Sequence, residues 1–75
     1  MMTCADELAF VRSLLADFPY EIELDWINDD TTYDIEIVTD KNAEREKEMI
    51  SIMESNGYRL IDSDNDTHVN LYWFG

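Results

Sequence analysis

Proline and glycine are almost missing from this sequence: Pro19, Gly57 and Gly75 are the only ones among 75 residues. So few breakers exclude flexible linkers and Gly/Pro-rich low-complexity tracts, and leave the regular elements room to run. Cysteine is as scarce as proline. Cys4 stands alone, which excludes an intramolecular disulfide and a cysteine-rich metal cage and fits a reducing compartment. No apolar run approaches the ~18 residues of a membrane span, and Met1 to Phe10 lacks the basic segment and apolar core of a secretory signal. These absences together predict a soluble cytoplasmic protein.

Positive charge is the other shortage. Arg12, Lys41, Arg45, Lys47 and Arg59 face 18 acidic residues, for a net charge of −13. Such a chain repels nucleic acid and anionic membrane, and its self-repulsion opposes compaction. Solubility of a small domain is met by a net charge of magnitude ~2–8, so the excess points to function. What is present balances this: 45% hydrophobic residues, with three Phe, two Trp and four Tyr, supply a core and exclude disorder. The length allows one domain, residues 1–75, burying only ~60% of the surface its unfolded chain exposes.

Thr3 reads as a helix cap, with Asp6 and Glu7 in the first turn where the helix dipole favours anions. Leu8, Val11, Leu14, Leu15 and Phe18 continue an apolar stripe that Pro19 ends. Tyr20, Ile22, Leu24 and Trp26 then alternate with Glu21, Glu23 and Asp25, the period-2 pattern of a strand with one buried face. Asn28 to Thr31 form a turn, and Tyr33, Ile35 and Ile37 resume the alternation against Asp34 and Glu36, completing a hairpin. Thr39, Asp40 and Asn42 are candidate caps for a second helix through Ala43, Met49, Ile50, Ile52 and Met53, with Gly57 after its end. A second hairpin follows: Tyr58 to Asp62, a turn at Ser63–Asp66, and Thr67 to Phe74. The fold class is α+β, in the order α-β-β-α-β-β, with two helices on one face of a four-stranded antiparallel sheet. A short local similarity between Asp30–Ile35 and Asp66–Leu71, at an offset of 36 residues, raises an internal duplication.

With Trp26 opposite Tyr33, Asp25 pairs with Asp34 and Glu23 with Glu36. Like charges directly opposite each other destabilise a sheet, and a two-residue shift merely re-pairs carboxylate with carboxylate. Same-face side chains along a strand repeat every ~6.6–6.8 Å, a repeat similar to that of successive phosphates in a nucleic-acid strand. Glu21, Glu23, Asp25, Asp34 and Glu36 can therefore present themselves to Lys and Arg arrays that read phosphates without regard to base. Asp29, Asp30, Asp62, Asp64 and Asp66 extend the acidic surface. The bland alternative is a solvated face serving solubility. Tyr72 and Phe74 alternate with Val69, Leu71 and Trp73, so the last strand is apolar on both sides, as a central strand or a contact strand would be. Aromatics are enriched at binding hot spots, and Tyr72 and Phe74 count as partner contacts beside the acidic rim.

Other chemistry is weakly signalled. Asp62, Asp64 and Asp66 occupy the first, third and fifth positions of an EF-hand-like loop, but Thr67 stands where Gly is needed and Trp73 where a bidentate Glu is needed. Cys4 and His68 offer a thiol and an imidazole without an orienting third group. Paired carboxylates serve glycoside hydrolysis, yet a sheet this small leaves little room for a cleft. The expectation is a protein that is no enzyme and holds no cofactor or metal.

In size and charge, though in no signature motif, the chain resembles the small acidic phage- or plasmid-borne inhibitors that mimic DNA, including anti-CRISPR and anti-restriction proteins. The resemblance implies an inhibitor in the host cytoplasm that occupies the nucleic-acid channel of a nuclease or defence complex, and it assigns no residue. The expected partner is thus a basic nucleic-acid-binding protein or complex. Two rivals stay open: an immunity protein or antitoxin dedicated to one toxin, and a Ca²⁺-responsive acidic module.

Overall fold

The computed structural model describes residues 3–27 and 32–75. Helix α1 (Cys4–Leu14) starts where Thr3 predicts: its hydroxyl accepts from the Asp6 amide at 3.1 Å while Asp6 accepts from the Thr3 amide, a complete capping box. The helix stops at Leu14, and Leu15 to Phe18 turn the chain before Pro19. Strands β1 (Glu21–Ile27) and β2 (Thr32–Asp40) are antiparallel, with the expected register: Trp26 opposite Tyr33, Asp25 opposite Asp34 and Glu23 opposite Glu36. The expected turn at 28–31, with Asp29 and Asp30, lies outside the described residues.

Helix α2 spans Glu46–Ser55 and starts later than the cap residues predicted. Thr39 and Asp40 instead finish β2, because pairing with β4 (Val69–Phe74) places Thr39 opposite Asn70 and Asp40 opposite Val69. Arg45 stands at the N-cap without a side-chain cap bond. Gly57 ends the helix with φ +88°, a left-handed conformation that favours glycine.

Strand β3 (Leu60–Asn65) is longer than expected, and the turn shrinks to Asp66–His68, closed by the Asp66 amide donating to the Val69 carbonyl at 2.9 Å. Asp, Ser and Asn are poor strand formers. Here the ladder to β4 overrides that preference by satisfying their backbone groups. The sheet order is β1-β2-β4-β3, two α-β-β units meeting at a central β2–β4 pair.

The 36-residue similarity does not carry over as a structural repeat. It equates Ile35 with Leu71, yet Leu71 pairs with Val38, on the face opposite Ile35. An even offset that swaps faces exchanges core and solvent positions.

Both helices cover one face. Val11, Leu15, Phe18, Met49 and Met53 pack on Ile22, Ile35, Ile37, Tyr72 and Phe74 as one core. Two carboxylates are built into that side. Glu7 accepts from the Tyr33 hydroxyl and, at 2.8 Å, from the Tyr58 hydroxyl. Glu46 accepts from Thr39 at 3.2 Å, Asn70 at 2.6 Å and Tyr72 at 2.5 Å. Glu7 ties α1 to β2 and to the segment before β3, Glu46 ties α2 to β2 and β4, and each meets the requirement that a half-buried carboxylate be hydrogen-bonded.

Candidate functional site

Neither described helix lies over the opposite face of the sheet. Alternation along β1 and β2 points Glu21, Glu23, Asp25, Asp34 and Glu36 there together. The pairs Asp25/Asp34 and Glu23/Glu36 are direct neighbours across the strands. Asp62 and Asp64 join them from the other edge, because β3 pairs Asp62 with Trp73 and Asp64 with Leu71. These seven expected contact residues therefore share one face, Asp34 and Glu36 half-buried and the others exposed.

Three expected placements change. Tyr72 and Phe74 are core residues, 8% and 0% exposed, because their partners in β2 are Ile37 and Ile35 under the helices. They are not available to a partner. Asp66 sits in the β3–β4 turn, its carboxylate accepting from the Thr67 amide at 2.7 Å and its carbonyl from Lys41 at 2.9 Å. It therefore stabilises the turn, and the EF-hand-like spacing belongs to a strand and its turn. Among the described residues no three His, Cys, Asp or Glu side chains gather to hold a metal ion.

The aromatic on the open face is Trp73. With Leu71 and Val69 it forms an apolar midline along β4, joined by Val38 from β2. Acidic residues stand on both sides of this midline. Periodicity could not reveal the arrangement, since β4 is apolar on both faces and only its pairing with β2 tells them apart. Near one end of the midline lies a shallow cleft of about 250 Å³ walled by Ile27, Ile61 and Trp73 and rimmed by Asp25, Asp34 and Asp62. Ile61 occupies a register irregularity between Leu60 and Asp62, is 49% exposed, and leans over Gly75 where any Cβ would collide with its Cδ1.

The electrostatics follow from this crowding. Burial, and then the Asp25 and Glu23 charges, push the Glu36 carboxyl above the usual carboxylate range, with Trp73 working the other way. Arg12 tempers the ladder at one point: it crosses the edge of β1 from α1, donates to the Ile22 carbonyl at 3.0 Å and lies 3.5 Å from Glu23. Among the described residues the only other salt bridge is Arg45–Glu48 on α2, away from this face. Asp25, Asp34, Asp62 and Asp64 therefore have no cation from the described chain.

Cys4, at the start of α1, neighbours Tyr33, whereas His68 is exposed in the turn leading to Val69, which pairs with Asp40. Tyr33 and Asp40 are seven residues apart on β2, about 23 Å at strand rise. The two cannot form a nucleophile–base pair. No described helix is long and apolar enough to cross a membrane. Comparison with protein-family models, with curated proteins and with solved structures finds no match to this chain.

Proposed function

We propose that this protein is an inhibitor that docks its uncovered sheet face on the basic nucleic-acid-binding surface of a nuclease or a CRISPR- or restriction-type defence complex, with carboxylates in the place of phosphates. The observation that carries this reading is the register: Asp25/Asp34 and Glu23/Glu36 stand directly opposite each other on a face that neither described helix covers. A sheet that only needed solubility would gain by interleaving Lys among these positions, as cross-strand opposite charges stabilise and like charges do not. Retaining the repulsion is reasonable if a cationic partner relieves it on binding. Cations arranged to hold phosphates would accept a two-strand array repeating every ~6.6–6.8 Å.

A pull-down from host lysate tests the reading, comparing wild type with a Glu23→Lys, Asp25→Lys, Asp34→Lys variant. The expected outcome is a nuclease or other nucleic-acid-binding complex retained by wild type alone and displaced by added DNA or RNA. The same proteins on both forms, or on neither, would make the ladder a solvated face.

The apolar midline favours a second reading, an immunity protein or antitoxin in which charge steers and apolar anchors hold. Trp73 and Leu71 would be those anchors, since Tyr72 and Phe74 are buried. Trp73→Ala would then speed dissociation from the toxin, whereas ladder neutralisation would slow association.

A further inference from the structure

The uncovered face is not uniformly acidic, and its layout says more about the partner than its charge does. Val69, Leu71 and Trp73 run as a half-buried apolar strip along β4, with Val38 of β2 beside Leu71. Acidic side chains stand on both flanks, Asp34, Glu36 and Asp40 on β2, with Glu21, Glu23 and Asp25 beyond them on β1, and Asp62 and Asp64 on β3. β2 and β3 are the two neighbours of β4 in the sheet, so two interstrand spacings, about 10 Å, separate the nearest flanking carboxylates. An α-helix with its side chains is ~10–12 Å across. A helix laid along β4 would therefore rest on the strip with a row of carboxylates beneath each of its sides. A strand apolar on both faces is ordinarily covered on both, and the described helices cover β4 on one.

We propose that the occupant of this face is a basic amphipathic helix of the partner, its apolar stripe on Val38, Leu71 and Trp73 and its Lys or Arg residues reaching the carboxylates on either side. This deepens the docking reading above and rests on it, because it keeps the same face and the same cationic partner. It differs in where affinity lies. A bare array of phosphate-binding cations would engage only the flanks and would let go in high salt, where exposed charges are screened. A helix with an apolar stripe would keep a salt-resistant share from the strip. A second copy of this chain is a poor occupant, since it would bring carboxylates to carboxylates.

Three synthetic peptides of equal positive charge test the proposal on the wild-type protein: an amphipathic helix with a Leu stripe flanked by Arg, the same composition scrambled to destroy the stripe, and oligo-arginine. Affinities are measured at ~0.1 M and ~0.5 M salt, across which screening rises sharply. The amphipathic peptide is expected to bind about tenfold or more tightly than the scrambled one at high salt, the value of burying one or two aliphatic side chains. A Val38→Thr, Leu71→Thr protein, shown folded by circular dichroism, should lose that advantage and still bind all three at low salt. If all three bind alike at low salt and are all lost at high salt, the helix proposal falls and the charge-docking reading stands. If none binds at low salt, both fall.

Discussion

Glu36 and Glu46 are two carboxylates on opposite faces with opposite effects. Glu36 is raised by burial and by its acidic neighbours, so in the acid range just above the ordinary carboxylate value the folded state binds more protons than the unfolded one. Stability therefore falls as pH rises through that window. Glu36→Gln should stabilise at neutral pH by about 0.2–1 kcal/mol, the scale of a cross-strand pair, and flatten that part of the pH profile in thermal melts. For Glu46, burial acts to raise the pKa, but hydrogen bonds from Tyr72, Asn70 and Thr39 and the Lys41 charge hold it below the usual range. Its contribution is present above the unfolded value and is lost as pH falls through the depressed folded one. Glu46→Leu would strand three buried or half-buried donors and should cost about 1–3 kcal/mol, read as a lowered melting temperature. The tyrosines report the same network. Tyr58 is pushed up to about 12 by burial and the Glu7 hydrogen bond, and Tyr33 and Tyr72 are raised further by their carboxylate partners and burial. A spectroscopic alkaline titration should show little phenolate near the ordinary ~10, with ionisation arriving together with unfolding.

Elements were legible in the sequence wherever one periodicity dominated. Alternation in Glu21–Trp26 and Tyr33–Ile37 gives both strands and the face each side chain takes, and Thr3 marks the first helix start correctly. Boundaries set by long-range pairing were not legible. Thr39 and Asp40 have the chemistry of helix caps, and Asp62 to Asn65 have the chemistry of a turn, until β4 pairs with both. The same strand explains why Tyr72 and Phe74 exchange roles with Trp73. Its two faces are equally apolar, so only neighbours brought from β2 decide which is core. Glu7 and Glu46 look like helix-surface acids in the sequence, because their hydroxyl partners lie 26 and 51 residues on for Glu7 and 26 on for Glu46's Tyr72. At the C-terminal end of α2 the local signal and the structure agree. Gly57 holds φ +88° in open space, so Gly57→Ala should destabilise by about 1–2 kcal/mol through backbone strain alone, and Gly57→Asn by less. Chemical denaturation of the two variants measures that strain, as a Cβ at position 57 meets no neighbour.

Across the whole molecule, a charge of −13 on 75 residues makes repulsion a general condition of the fold. The raised Glu36 and the depressed Glu46 together place the stability maximum on the acid side of neutrality. Added salt at neutral pH should raise the melting temperature, since shortening the Debye length from ~30 Å at 0.01 M to ~8 Å at 0.15 M screens exposed carboxylates from one another. The partner is expected to give the same relief more locally, by setting cations against Asp25, Asp34, Asp62 and Asp64. The most direct measurement is the affinity of the protein for its captured complex as salt is raised from ~0.1 to ~0.5 M, with and without competing DNA. The account predicts a steep fall with salt and mutual exclusion with DNA. Affinity unchanged by salt, or simultaneous binding of the protein and DNA, would contradict it.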